Sequence, residues 1–169
     1  WAAYEAAQAM SRWDAKYGQP LPVSVNVILS AIQIARDDVE SMFEEALRYA
    51  GIAGQRMTAE LTESAIVADP DKARKWLFAL KDLDMSIAMD DFGTGFSNLA
   101  SLHTLPIDIL KIDRSFVSSM LEDRDKAVIV RTILSLAESL NLKVTAEGIE
   151  NQALALQLQN LGCWQGQGY

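Results

Sequence analysis

Two adjacent carboxylates, Asp90 and Asp91, follow a short apolar run at residues 87–89 and precede a glycine-containing turn at residues 93–95. Neighbouring acids at the end of a buried strand are costly to bury unless a cation lies beside them. A divalent metal ion would satisfy both carboxylates. The stretch at residues 86–99, SIAMDDFGTGFSNL, is therefore the first candidate for a functional site.

Other strand-like segments also carry polar residues at or near their ends, namely Asn26, Glu60, Lys111 and Glu147. Amide and carboxylate oxygens favour magnesium or manganese over zinc, which prefers His or Cys. Two adjacent aspartates suit two metal ions with one bridging carboxylate, an arrangement that activates water in phosphodiester hydrolysis. Lys111 would then either hold the attacking water or neutralise charge on the phosphate.

Each of these residues also has a purely structural interpretation. Glu60 could be an ion-pair partner, Lys111 could pair with Asp113, and the acids at residues 90–91 could form a turn and a helix cap. His103, the single histidine, is interpreted as a surface or packing residue. Their joint occurrence favours a functional site, because independent salt bridges have no reason to choose the same end of every strand.

The composition is that of a globular protein, with 169 residues of which 50% are hydrophobic and 22% charged. A net charge of −8 argues against a nucleic-acid polymer as partner, but it permits a small phosphate ligand if metal ions supply local positive charge. The single cysteine, Cys163, excludes an intrachain disulfide and fits a reducing, cytoplasmic location. No apolar run has the length of a membrane span. The chain begins within a helix-like pattern, which suggests a fragment.

The apolar periodicity alternates between strands and helices along the chain. Strands are predicted at residues 23–29, 56–62, 86–92, 107–113 and 143–146, with one more strand or its loop at 163–169, and helices at residues 1–17, 37–50, 70–83, 97–103, 123–140 and 151–161. Such alternation indicates an α/β fold with a parallel sheet and helical crossovers.

Two parallel architectures compete, an open doubly wound sheet and a closed (β/α)8 TIM-like barrel. The doubly wound fold predicts an early glycine-rich phosphate loop, and Gly93 with Gly95 does not match that fingerprint. The barrel is preferred because it places functional residues at the carboxyl ends of many strands. With five full strands visible, we expect an incomplete barrel whose N-terminal strands and C-terminal end lie outside this chain.

Five motifs carry a family resemblance. They are ELTES at residues 60–64, DDFGTGFSNL at 90–99, LKID at 110–113, AEGIE at 146–150 and QGY at 167–169. In order and spacing they resemble the EAL domain family, bacterial phosphodiesterases that hydrolyse cyclic di-GMP to linear pGpG. The resemblance covers essentially the whole chain, so residues 1–169 are expected to form a partial EAL domain, within a parent that carries sensory or GGDEF-type domains.

The resemblance implies a barrel with two Mg²⁺ or Mn²⁺ ions at its C-terminal face. Glu60 and Asp90 resemble metal ligands, with Asp90 bridging the ions and Asp91 serving the second one. The family's asparagine ligand has two candidates, since VSVN aligns Asn26 with it whereas LSA aligns Ile28. Asn26 is preferred. If Ile28 holds the position, the module would bind cyclic di-GMP as a receptor without cleaving it.

The resemblance also implies roles beyond the first ligands. Lys111 resembles the lysine that contacts the nucleophilic water, Glu147 the glutamate that lies near the second metal or acts as base, and Gln167 the glutamine near that water. Glu63 resembles the glutamate that anchors the loop at residues 92–97. A homodimer through the region after Asp91 is expected on the same basis.

One metal-binding glutamate of the family has no counterpart among these motifs. The glutamate of the motif that names the family is expected before Trp1, so the chain alone is expected to be a poor enzyme. Besides the receptor, a regulatory or dimerisation module that binds no nucleotide remains an alternative.

Overall fold

Six strands alternate with helices in a computed structural model that describes residues 1–34, 39–67, 69–94, 102 and 104–169, without the side chains of Ala31, Glu63 and Val67. The strands are β1 Val25–Leu29, β2 Met57–Thr62, β3 Ser86–Phe92, β4 Ile109–Ile112, β5 Lys143–Ile149 and β6 Gln165–Gly168. The helices are α1 Ala2–Tyr17, α2 Ala31–Ile34, α3 Val39–Ala50, α4 Glu63–Val67, α5 Pro70–Asp82, α6 Arg114–Val117, α7 Arg124–Ser139 and α8 Gln152–Asn160, and a 3-10 turn spans Gly54–Arg56.

The predicted alternation is confirmed, with one correction: β5 continues to Ile149 rather than ending at Ala146, so Glu147 lies inside the strand. Of the two alternatives left open for the last segment, a strand or its loop, the structure shows a strand, β6. The start of the helix predicted at residues 37–50 and most of the helix predicted at 97–103, including His103, lie outside the described residues.

The chain divides into two compact units, and the first spans Trp1–Ile87. Its strands β1 and β2 pair in parallel, with Asn26 level with Thr58 and Ile28 level with Glu60. Helix α1 packs on α3 and ends at Gly18, whose φ of 70° allows the left-handed conformation that closes the helix. Fully buried Met10 and Phe43 show that the two helices share an apolar core.

The second unit spans Ala88–Tyr169 and contains most of β3 together with β4, β5 and β6, paired in parallel in chain order. Leu110 and Ile112 of β4 are fully buried, and α7 covers the sheet with Val130 and Ala137. The apolar run predicted for β4 is therefore buried, as is usual for a strand inside a parallel sheet, whereas β6 at the edge is exposed.

Two helix starts follow from predicted capping residues. Asp69 accepts a hydrogen bond from the backbone N–H of Lys72, and Asn151 accepts one from Leu154 at 2.9 Å. Among the described residues, no helix is both long and apolar enough to cross a membrane. The cytoplasmic location stays a prediction.

Candidate active site

In the first unit, the side chains of Asn26 and Glu60 meet. The amide Nδ2 of Asn26 donates a hydrogen bond to Oε1 of Glu60 at 2.5 Å, and Glu60 is 3% exposed. Ile28 is the residue of β1 that is level with Glu60, and its side chain is 66% exposed. Because residues two apart on a strand share a face, Asn26 and Ile28 flank the same carboxylate. The structure thus brings Asn26 to Glu60, and its role as a ligand stays a prediction.

In the second unit, a buried lysine lies between two carboxylates from neighbouring strands. Lys111 of β4 is 5% exposed, and its Nζ is 3.1 Å from Oδ1 of Asp90 on β3 and 2.6 Å from Oε1 of Glu147 on β5. Asp113, the alternative partner named for this lysine, caps α6 by accepting a hydrogen bond from the N–H of Ser115 at 3.0 Å. Two carboxylates thus compensate the buried charge of Lys111, and its role toward water or a phosphate stays a prediction.

A bulge in β3 explains how two consecutive acids reach one region. Met89 is level with Leu110 and Phe92 with Ile112, so Asp90 and Asp91 together oppose Lys111. Asp91 takes a positive φ of 54°, which a regular strand does not allow. Adjacent side chains of an unbulged strand would point to opposite faces.

The electrostatics of Asp91 reflect its neighbours. Although Asp91 is exposed as a residue, partial desolvation of its carboxyl raises its pKa, and repulsion from Asp90 and Asp113 raises it further. Lys111 opposes that rise. Mutual repulsion between neighbouring carboxylates is the condition that a bound cation relieves.

The donor set fits a hard divalent cation. Oδ1 of Asp90 is buried and accepts no hydrogen bond from any described residue, although Lys111 lies beside it. The candidate ligands offer only amide and carboxylate oxygens, which suit magnesium or manganese. Within the described residues, no three His, Cys, Asp or Glu side chains already gather as a metal cluster.

Gln167 and Glu63 are the two remaining predicted site residues. Gln167 lies on exposed β6 and is level with Glu147 of β5, which places it beside the predicted base. Glu63 is the first residue of α4, but its side chain and residues 95–97 of the loop that it is expected to anchor lie outside the described residues. The loop anchor and the dimer contact after Asp91 stay predictions.

A second bulge was missed by the sequence reasoning. Glu147 is level with Gln167 and Ile149 with Gly168, so Gly148 is an extra residue, with a φ of 72°. The available signal was the glycine directly after an acidic residue inside a strand, which is typical of a bulge.

Comparisons with known proteins identify the fold and the family. The EAL domain model matches residues 1–169. The solved PaMucR phosphodiesterase, a c-di-GMP complex, is 36% identical with a TM-score of 0.90, covering 98% of this chain and 66% of that one. The EAL domain of Mycobacterium smegmatis DcpA is 33% identical with a TM-score of 0.90, covering 98% and 74%. The fold is an incomplete (β/α) barrel.

The chain belongs to the EAL domain family. Among curated relatives, the bifunctional diguanylate cyclase/cyclic di-GMP phosphodiesterase MucR of Pseudomonas aeruginosa is 37% identical over 169 residues, which is all of this chain and 24% of that protein. The chain spans about a fifth to about a quarter of the length of the curated relatives it matches.

Proposed function

We propose that the protein containing this chain hydrolyses cyclic di-GMP to linear pGpG in a metal-dependent reaction. The observation that carries the proposal is the buried Lys111 between Asp90 and Glu147 at 3.1 and 2.6 Å. A cation fixed among acids can stabilise charge on a phosphate or orient a water molecule, and it needs no reorganisation during the reaction. Family membership and the cyclic di-GMP complex of the MucR phosphodiesterase support the same substrate.

The proposed roles follow the chemistry of each side chain. Glu60, with Asn26 beside it in the first unit, and Asp90 with Asp91 in the second unit are the residues that would hold Mg²⁺ or Mn²⁺ ions. When bound, such ions polarise the phosphoryl oxygens and lower the pKa of bound water. Lys111 holds the attacking water molecule, and Glu147 takes up the proton that this water releases. Gln167, which is level with Glu147, helps to orient the same water molecule.

The test is hydrolysis by the full-length protein. Purified protein is incubated with cyclic di-GMP and either Mg²⁺ or Mn²⁺, and pGpG is followed by chromatography. We expect turnover that EDTA abolishes and that excess metal restores. Absence of turnover with both metals would refute the proposal.

The Asp90→Asn variant, compared with the wild-type protein in the same assay, tests the role of Asp90. Removing one carboxylate charge while keeping the side-chain shape should reduce kcat by about 100-fold or more, because a proposed metal ligand loses its charge. The far-ultraviolet circular dichroism spectrum should not change. Unchanged kcat would contradict the role of Asp90.

A receptor without turnover is the second candidate, and one observation favours it. The exposed, apolar Ile28 is level with Glu60, at the place where the alternative alignment puts the family's asparagine. A receptor would bind cyclic di-GMP in calorimetry with EDTA present and would produce no pGpG. Turnover by the full-length protein would exclude this candidate.

A further inference from the structure

We infer that the single-turn helix α6 is a positioning element, in which Arg114 and Phe116 hold the bulged ends of β5 and β3. The inference rests on the proposed function, because those strand ends carry Glu147 and Asp90. Helix α6 directly follows β4, and Arg114 comes three residues after Lys111. One turn therefore contacts the strands on both sides of the lysine.

The contact with β5 is made by the stem of Arg114. A Cβ atom placed on Gly148 would lie 2.3 Å from Cγ, 2.9 Å from Cβ and 3.1 Å from Cδ of Arg114, so only a glycine fits beneath this side chain. The guanidinium then forms an ion pair with Glu150. The stem of Arg114 thus covers the bulge at Gly148, directly after Glu147, and its guanidinium is held beyond the bulge by Glu150.

The contact with the turn that directly follows β3 is made by Phe116. A Cβ atom on Gly93 would lie 3.1 Å from Cε2 of Phe116 and 3.3 Å from Cδ1 of Ile133. Gly93 has a φ of 99°, and the turn around it is closed by the N–H of Thr94, which donates to the carbonyl of Asp91 at 3.3 Å. The aromatic ring therefore restricts the movement of the turn at residues 91–94, which begins at Asp91.

Helix α6 is itself fixed at both ends. Asp113 caps its start, and Val117 at its end is fully buried. A site residue keeps its geometry only if its support is rigid. Loss of such supporting contacts commonly reduces activity or metal affinity by about 10- to 100-fold.

The Arg114–Glu150 pair should contribute little to stability. The side chains are 63% and 45% exposed, and exposed ion pairs contribute little to folding. Loss of Arg114 should therefore affect the geometry of Glu147 more than the melting temperature. This difference separates a positioning role from a purely structural one.

The test uses three variants of the full-length protein. Arg114→Ala removes the stem, whereas Arg114→Lys keeps the Cβ, Cγ and Cδ atoms that cover Gly148 and also keeps a positive charge near Glu150. Arg124→Ala, at the exposed start of α7, is the matched control. Steady-state kinetics, Mn²⁺ binding by calorimetry and thermal unfolding are measured for each.

We expect Arg114→Ala to lower kcat by about 10-fold or more with KM changed less than about twofold, and to weaken Mn²⁺ binding. Arg114→Lys should recover most of the loss, Arg124→Ala should behave as wild type, and melting temperatures should agree closely. Equal kcat and equal Mn²⁺ affinity in Arg114→Ala would overturn the inference, as would a loss that Arg114→Lys does not recover. If the wild-type protein has no turnover, the proposed function fails, and Mn²⁺ affinity alone decides the positioning role.

Discussion

Lys111 is the residue on which the site's electrostatics depend. Lys111 is 5% exposed, and its Nζ lies 3.1 Å from Oδ1 of Asp90 and 2.6 Å from Oε1 of Glu147. Removing its charge leaves the two carboxylates in mutual repulsion. We expect Lys111→Met to lower kcat for cyclic di-GMP by about 100- to 1,000-fold, the usual effect of losing one fixed electrostatic group. KM should change much less. Lys75→Met, at an exposed position on α5, is the control, and kcat within threefold of wild type for Lys111→Met would contradict this role.

Asn26 and Ile28 give the second residue-scale prediction, because they lie on one face of β1 beside Glu60. Asn26→Ala removes a donor 2.5 Å from a carboxylate that is 3% exposed, whereas Ile28→Ala trims a side chain that is 66% exposed. We expect Asn26→Ala to lower kcat by about 10-fold or more, and Ile28→Ala to stay within about twofold. Hydrolysis of cyclic di-GMP by the two variants measures the difference. The reverse order would assign the sensitive position to Ile28.

At the scale of elements, the sequence predicted the strands better than their irregularities. Alternation and apolar runs located five of the six strands, β6 was left open between a strand and its loop, and capping chemistry located the starts of α5 and α8. The bulges at Asp91 and Gly148 were not predicted, because an extra residue is defined only by the pairing of a strand with its neighbours. The contact of Arg114 with Gly148 was missed for the same reason, since it depends on tertiary packing.

Gly54, at the start of the 3-10 turn before β2, gives a prediction about an element boundary. A Cβ atom there would lie 1.7 Å from the backbone oxygen of Leu83, so backbone must move. We expect Gly54→Ala to lower the free energy of unfolding by about 3 kcal/mol, the upper part of the range for overpacking. Denaturation in urea measures the loss.

Gly18 is the matched control for that substitution. Its added Cβ would have nothing within 4 Å, and its φ of 70° carries only the left-handed penalty of about 1 kcal/mol. A loss in Gly54→Ala no larger than that in Gly18→Ala would mean that the chain relaxes around Leu83.

At the scale of the whole molecule, alternation predicted a parallel α/β sheet, and the polar residues near strand ends favoured the barrel over the doubly wound sheet. The comparison with PaMucR confirms the barrel with a TM-score of 0.90 over 98% of the chain. The same pattern predicted Asn26, Glu60, Lys111 and Glu147 at carboxyl ends of strands. In the structure Asn26 is the second residue of β1, and Glu60 and Glu147 lie inside β2 and β5. The sequence favoured Asn26 over Ile28 as the ligand position without excluding Ile28, because both alignments keep the strand's side-chain alternation. The structure places Ile28 level with Glu60 and Asn26 in hydrogen-bond contact with Glu60, and the assignment of the ligand position to Asn26 stays a prediction.

The contact between Asp14 and Arg56 makes the stability of the molecule depend on pH in acid. Arg56 Nη2 donates to Oδ1 of Asp14 at 3.0 Å, Nη1 pairs with Oδ2, and the N–H of Leu21 donates to Oδ1 at 2.9 Å. The hydrogen bonds from Arg56, and then that from Leu21, lower the pKa of Asp14 below its ordinary value of 3.8. The contact therefore joins α1 to the turn before β2 only while Asp14 is ionised.

This lowered pKa fixes the sign of a pH-dependent prediction. Because the unfolded carboxyl binds protons more readily, the stabilisation is fully present well above pH 3.8 and is lost as the pH falls through the lower, folded-state pKa. Asp14→Asn should therefore be less stable than wild type at pH 7 and 5, and the difference should shrink between pH 4 and pH 2. Urea unfolding at each pH measures it, and taking the difference cancels the titration of the other acids. Arg56→Met should show the same convergence, and a difference that persists unchanged to pH 2 would show that packing around Asp14, rather than its charge, stabilises this contact.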